Sequence, residues 1–137
     1  MIQLAYLSST RSLLNVYEIA EILIKSRENN EKRGITGMLL YKDGNVLQIL
    51  EGEEDPVRAL FEKISNDPRH SGVLRLYEKS VEVRDFSEWT MGFHDLEAEG
   101  ARYLEGFSEF LDPLFDISQL KPSTAARLLS LFKQGVR

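Results

Sequence analysis

Gln48 is a polar residue in the middle of an apolar stretch, Val46-Leu-Gln-Ile-Leu50. If this stretch is a strand, alternation places the Gln48 amide on the face of Val46 and Leu50, against a hydrophobic core. A buried amide without partners is costly, so another group must bond to it. A neighbouring backbone group or a water would suffice. An amide can also donate and accept at once, which suits a functional hydrogen-bond network.

Tyr6 is the second side chain with useful chemistry, and alternation places it on the strand face of Leu4. A tyrosine in a strand most often serves packing, and its hydroxyl bonds to whichever acceptor lies nearby. Alternation cannot show whether Tyr6 and Gln48 meet, because they lie on different strands.

Two predicted helices each carry a stripe with polar residues towards its end. Side chains at i, i+3, i+4, i+7 and i+8 share one side of a helix. The stripe of the first helix is Ile22, Ser26, Asn29 and Asn30, and that of the second is Leu60, Lys63, Ile64 and Asp67. They predict a cleft between the helices with polar groups at its mouth. Ordinary alternatives are a C-terminal cap at Asn29-Asn30, a solvated Lys63 and a helix-ending turn at Asp67-Pro-Arg-His70.

Other kinds of site find little support in the sequence. The chain has no cysteine, which excludes disulfides, thiolate catalysis and zinc fingers. It has no G-x-G-x-x-G motif and no P-loop, and its two histidines suggest no Ser-His-Asp triad. Glu51, Glu53 and Glu54 precede a predicted helix start, where acids favour the helix dipole, so no metal site is predicted.

Periodicity and turn signals predict the elements that must position these residues. The predicted strands are Ile2–Ser8, Gly34–Tyr41, Val46–Leu50, Val73–Val83 and Trp89–Phe93. The predicted helices run from about Leu14 to Asn29 and from a capping Asp55, with Pro56 in the first turn, to Asn66. Lys42-Asp-Gly-Asn45 predicts a hairpin. The order is β-α-β-β-α-β with one added strand. It predicts an α+β, ferredoxin-like sheet of about five strands with two helices on one face.

The last part of the chain, from about Gly100 to Arg137, is predicted to be a helical extension. The strands carry apolar residues on both faces, and two helices cover only one, so we expect the extension to pack on the other. The predicted organisation is therefore a domain over residues 1–97 and a helical cap over residues 98–137.

The net charge of −5 among 137 residues argues against a nucleic-acid partner. No apolar run is long enough to span a membrane, and no signal peptide is recognised, so we expect a cytoplasmic protein without a membrane partner. Acids dominate residues 95–116, and bases alone occur in residues 120–137. These charges are either solvated helix faces or complementary contacts with another subunit or protein.

Five sequence pieces in order resemble the BLUF family, blue-light sensors that use FAD, over about residues 1–97. They are Leu4-Ala-Tyr6-Leu-Ser8; Asn29-Asn30 with Gly34-Ile-Thr-Gly37-Met-Leu-Leu-Tyr41; Leu47-Gln48-Ile-Leu-Glu51-Gly52; Asp67-Pro-Arg-His70; and Phe86-Ser-Glu-Trp89-Thr-Met91-Gly92. Each piece alone is weak evidence for the family, but all five in this order and at the spacing of the family are specific evidence.

The resemblance implies roles for individual residues. It implies that Tyr6 is photoactive and that Gln48 bonds both to Tyr6 and to the flavin. Asn30 would bond the polar edge of the ring, and Lys63, with Asp67 nearby, would lie at its other carbonyl. Further implied flavin contacts are Ile22, Ile64, Ser26, Asn29, Arg69 and His70. Trp89 and Met91 on the last strand would carry the signal.

The resemblance also implies FAD as the cofactor, with FMN as an alternative, and a sensor rather than an enzyme. Electron and proton transfer from Tyr6 would leave the Gln48 amide rearranged. The signal would pass to a downstream protein or through a homo-oligomer. Two other hypotheses are a non-photochemical ligand-binding or regulatory module of the same fold, and a small hydrolase, for which no catalytic cluster is found.

Overall fold

The computed structural model describes residues 1–11, 16–42, 44–87 and 92–95. Five strands and two helices follow one another in the order β1 (Ile2–Thr10), α1 (Val16–Arg33), β2 (Thr36–Lys42), β3 (Asn45–Gly52), α2 (Glu54–Ser65), β4 (His70–Ser80) and β5 (Gly92–Asp95). This confirms the predicted α+β, ferredoxin-like arrangement of strands and helices.

The five strands form one sheet in the order β4-β1-β3-β2-β5. The first four pair antiparallel, whereas β5 pairs parallel with β2, with Met38 opposite Gly92. β1 and β3 are central, and their register sets Tyr6 directly opposite Gln48. Two residues that are far apart in the sequence are therefore direct neighbours on the sheet.

The sheet buries apolar side chains on both faces. On one face, Leu23 of α1 and Val57 of α2 pack with Leu4, Tyr6 and Leu50 of the strands. Both helices therefore lie on that face, which we call the helix face. On the opposite face, a second cluster holds Ala5, Met38, Leu40, Leu47, Ile49 and Phe86. Alternation thus assigns Tyr6 and Gln48 to the helix face, as predicted from the sequence.

Several predicted boundaries were wrong. α1 continues to Arg33 and is followed by Gly34 at a φ of 67°, so Asn29-Asn30 lies inside the helix and does not cap it. α2 begins at Glu54 after an N-cap at Glu53, which makes no side-chain capping bond, so Asp55 is not the cap. β4 starts and ends three residues earlier than predicted, because His70 and Ser71 pair with the end of β1.

The predicted helical extension, the cap over residues 98–137 and its packing on the sheet lie outside the described residues. Among the helices that the structure does describe, neither is both long and apolar enough to cross a membrane.

Candidate functional site

A cavity of about 210 Å³ lies between the two helices and the sheet. This is far more than the roughly 10–15 Å³ that one water needs, so the cavity can hold a sizeable ligand group. It is lined by Tyr6, Thr10, Ile22, Lys25, Ser26, Asn29, Asn30, Leu39, Tyr41, Val46, Gln48, Leu60, Lys63, Ile64, Asp67, Arg69 and His70. The lining surface is mainly apolar, and polar side chains from both helices, the sheet and the turn after α2 converge on it, which suits a small-molecule site.

The inner wall of the cavity holds the pair Tyr6 and Gln48. Tyr6 is 1% exposed and Gln48 is 5% exposed, and the Tyr6 hydroxyl donates a hydrogen bond to Gln48 Oε1. Burial, followed by the negative charge of Asp67, raises the pKa of Tyr6 well above its ordinary value. Tyr6 therefore stays a protonated donor at any physiological pH.

α1 supplies one side of the cavity. Ile22, Ser26, Asn29 and Asn30 all line it, as the stripe on this helix predicted. Asn30 is 1% exposed, so its amide is a buried polar group of the cavity and not a helix cap. A second buried amide besides Gln48 gives the site donors and acceptors on two of its sides.

α2 and the turn after it supply the opposite side and part of the rim. Leu60 and Ile64 line the cavity together with Lys63 and Asp67. Asp67 forms a bidentate ion pair with Arg69, whose Nη2 lies 2.7 Å from Asp67 Oδ2. The hydrogen bonds from Arg69 lower the pKa of Asp67 to about 2. The rim therefore carries an ionised carboxylate that is held in place by its neighbour two residues away.

His70 joins the rim of the cavity to Tyr6. Its Nδ1 lies 2.8 Å from Ser8 Oγ, within hydrogen-bond distance, and its ring meets the Tyr6 ring edge-on at a centroid distance of 6.4 Å. The Tyr6 ring also packs against Phe61 in a tilted arrangement, at a centroid distance of 5.5 Å. Partial burial lowers the pKa of His70 below its ordinary value, although the charge of Asp67 opposes this shift.

The lowered pKa of His70 predicts a pH dependence of stability. The unfolded chain takes up a proton near pH 6.5, whereas the folded chain does so only at lower pH. The free energy of unfolding should therefore fall as the pH drops below about 6.5, by at most ~1.4 kcal/mol per pH unit for one proton. Urea unfolding at several pH values between 5 and 7.5 measures this slope. The His70→Asn variant should flatten it, and an unchanged slope would contradict the assignment to His70.

The cavity collects eleven of the residues predicted for a cofactor site: Tyr6, Ile22, Ser26, Asn29, Asn30, Gln48, Lys63, Ile64, Asp67, Arg69 and His70. Trp89 and Met91 lie outside the described residues. Six further residues line the cavity but were not predicted as cofactor contacts: Thr10, Lys25, Leu39, Tyr41, Val46 and Leu60. Strand alternation from Gly37 could have identified Leu39 and Tyr41. No group of three or more His, Asp or Glu side chains suited to a metal ion occurs among the described residues.

Comparison with known proteins finds a matching family model. It is BLUF, described as sensors of blue-light using FAD, and it matches residues 1–92. Photoactivated adenylate cyclase subunit beta of Euglena longa is 28% identical over 130 residues, which cover 93% of this chain and 15% of that protein. The blue light- and temperature-regulated antirepressor BluF of Escherichia coli K12 is 31% identical over 93 residues, 68% of this chain and 23% of that one.

A solved structure of the same family shares the fold of this chain. The dark-state structure of BlrB, a BLUF protein, aligns with a TM-score of 0.71 and 29% identity, covering 98% of this chain and 96% of that one. By contrast, the chain spans less than a quarter of the length of the two curated relatives.

Proposed function

We propose that this chain, which belongs to the BLUF family of blue-light sensors that use FAD, binds its flavin in the cavity between α1 and α2. Tyr6 and Gln48 are its photoactive pair. The observation that carries this proposal is the hydrogen bond from the Tyr6 hydroxyl to Gln48 Oε1 on the inner wall of the cavity.

The residues that line the cavity fit an isoalloxazine ring. This ring is flat and largely apolar, with polar atoms along its edges. Ile22 and Ile64 lie on opposite helices as apolar walls, while the buried amides of Asn30 and Gln48 can bond to polar edges. Lys63, Arg69 and His70 lie on the rim, where they would reach the more polar parts of the cofactor. FMN, which carries the same ring, would fit the same walls.

Bound FAD would supply the absorption of blue light and a strong acceptor for one electron. Tyr6 is the proposed donor, and its hydroxyl is bonded to Gln48, so its proton can move onto Gln48 Oε1 as the electron leaves. When the electron and proton return, Tyr6 is restored. The lasting change is a rearranged Gln48 amide, whose two unlike ends can exchange their bonding partners.

The experiment for this proposal needs only purified protein. It should be yellow with flavin absorption, and blue light should shift that absorption reversibly to longer wavelength. A colourless protein that takes up no FAD would overturn the site and the function together, and would favour a non-photochemical module of the same fold.

We propose further that the chain signals without enzymatic activity of its own in residues 1–97. The E. coli relative is an antirepressor and the Euglena relative is a cyclase subunit, and this chain aligns with only 23% and 15% of those proteins. A downstream protein, or a second copy of this chain, would receive the signal. Pull-downs in light and in darkness, together with light scattering, distinguish these routes. The cytoplasmic location expected from the sequence stays a prediction.

A further inference from the structure

Glu51 is a fully buried carboxylate with no part in the flavin cavity. It lies on β3 three residues after Gln48, and its exposure is 0%. Because three is an odd number, strand alternation places the two side chains on opposite faces of the sheet. The sequence pattern had grouped Glu51 with the acids of the α2 start. That interpretation was wrong, because residue 51 still belongs to the strand and its side chain turns inward.

All four hydrogen-bond partners of the Glu51 carboxylate are donors. Oε2 accepts from Gln3 Nε2 at 2.9 Å and from the backbone N–H of Asp85 at 2.7 Å. Oε1 accepts from the backbone N–H of Phe86 at 2.8 Å and from Thr36 Oγ1 at 3.4 Å. Two of the four donors thus belong to the backbone of the chain that leads from β4 to β5. Multiple donors of this kind compensate for the burial of a carboxylate.

Gln3 fixes the orientation of this network. The Tyr77 hydroxyl donates to Gln3 Oε1 at 2.6 Å. The Gln3 amide must then point its Nε2 the other way, towards Glu51 and Asp85 Oδ2. Burial, and then the charges of Asp85 and Glu51, raise the pKa of Tyr77, so its hydroxyl remains a donor.

Arg84 and Phe86 hold the same stretch of chain through separate contacts. The Arg84 guanidinium donates to Thr36 Oγ1 at 2.8 Å, to the Glu51 carbonyl at 3.2 Å and to the Gly34 carbonyl at 2.6 Å. Phe86 is buried in the cluster on the face opposite the helices. The stretch Arg84–Phe86, which we call the clamp segment, is therefore bonded to the ends of β2 and β3 and docked on the sheet.

We propose that the Glu51 carboxylate couples light-driven change at Gln48 to the clamp segment, and so to the chain that enters β5. This inference rests on the proposed function, since it needs Gln48 to change its bonds in light. It assigns Glu51 as a positioning residue on the face of the sheet that carries no flavin.

The coupling follows from the stiffness of β3. Three residues of a strand span roughly 10 Å, and neighbouring strands hold β3 on both sides. A change in the Gln48 bonds that twists or shifts β3 therefore also moves Glu51. The two backbone N–H groups of the clamp segment are bonded to different oxygens of one carboxylate, so movement of this group strains or breaks at least one of them.

Hydrogen–deuterium exchange tests this directly, because it can follow the Asp85 and Phe86 amides in darkness and under continuous blue light. In the wild-type protein with FAD bound, we expect the exchange rates of these amides to be at least about five times higher in light than in darkness. A factor of about five is at the low end of the coupling commonly found between two sites of a protein. Equal exchange in light and darkness, with a normal red shift of the flavin absorption, would overturn the inference and leave the proposed function standing. This measurement needs no variant.

The Glu51→Gln variant provides the second measurement. Whichever way the new amide turns, its NH2 group faces one of the two backbone N–H donors, so one bond to the clamp segment is lost. We expect Glu51→Gln to keep the red shift and to lose most of the light–dark difference in exchange.

The matched control is Glu54→Gln, the same substitution at an exposed position on α2, where Glu54 pairs with Arg58. It should keep both the red shift and the light–dark difference. A Glu51→Gln variant that retains the wild-type light–dark difference in exchange would overturn the coupling role of Glu51.

Discussion

Replacement of Tyr6 by phenylalanine is expected to leave the flavin bound and to abolish the reversible red shift completely. The phenyl ring keeps the packing against Phe61 and His70, because the hydroxyl points to Gln48. The variant loses both the oxidisable phenol and its proton, so the Gln48 amide has nothing to drive its rearrangement. The lost hydrogen bond should cost the folded protein about 1 kcal/mol.

Absorption spectra before and after blue light check this result, and Tyr41→Phe is the matched control. Tyr41 is another buried tyrosine that lines the same cavity. Tyr41→Phe should retain the red shift. A normal photocycle in Tyr6→Phe would remove Tyr6 from its proposed role, and loss of the shift in both variants would mean that the effect comes from the cavity as a whole.

The Gly37→Ala variant is expected to lose about 3 kcal/mol or more in the free energy of unfolding. A Cβ at this position would lie 2.0 Å from the carbonyl oxygen of Ile49. A backbone oxygen cannot rotate away, so β2 and β3 would have to separate beside Gln48. Because the separation disturbs the inner wall of the cavity, flavin affinity should fall as well.

Gly34→Ala distinguishes this clash from the general cost of replacing a glycine. Gly34 has a φ of 67°, and beyond its two chain neighbours no heavy atom of the described residues lies within 4 Å of the added Cβ. Its substitution therefore costs only the left-handed backbone strain of about 1–2 kcal/mol. Urea unfolding in darkness measures both variants. A Gly34→Ala protein less stable than Gly37→Ala would contradict the steric explanation.

The sequence was sufficient to assign residues to one face of the sheet or the other, but not to show which residues of different strands are in contact. Alternation put Tyr6 with Leu4 and Gln48 with Val46 and Leu50, and the core of the helix face confirms both. Tyr6 and Gln48 are 42 positions apart in the sequence, and their contact depends on the register between β1 and β3. Register is a property of the assembled sheet, and no local pattern in either strand specifies it.

The sequence also led to wrong predictions of a helix end and of a buried charge, and tertiary contacts explain both. Asn30 favours a helix end by propensity, but burial of its amide in the cavity keeps it inside α1. Glutamate is usually found on the surface, and donors from Gln3, Thr36 and the distant clamp segment compensate for the burial of Glu51. Such donors cannot be inferred from the residues around position 51.

The central position of β1 has a consequence for the order in which this domain matures during synthesis. β1 is the first strand made, yet its two neighbours, β3 and β4, are completed only at residues 52 and 80. His70, which lines the cavity, is therefore translated long after Tyr6. β1 therefore lacks complete partner strands for much of the synthesis, and the cavity that would hold the cofactor forms later. The full set of residues that line the cavity is therefore present only once residue 70 has been synthesised, after β1 and β3 are complete.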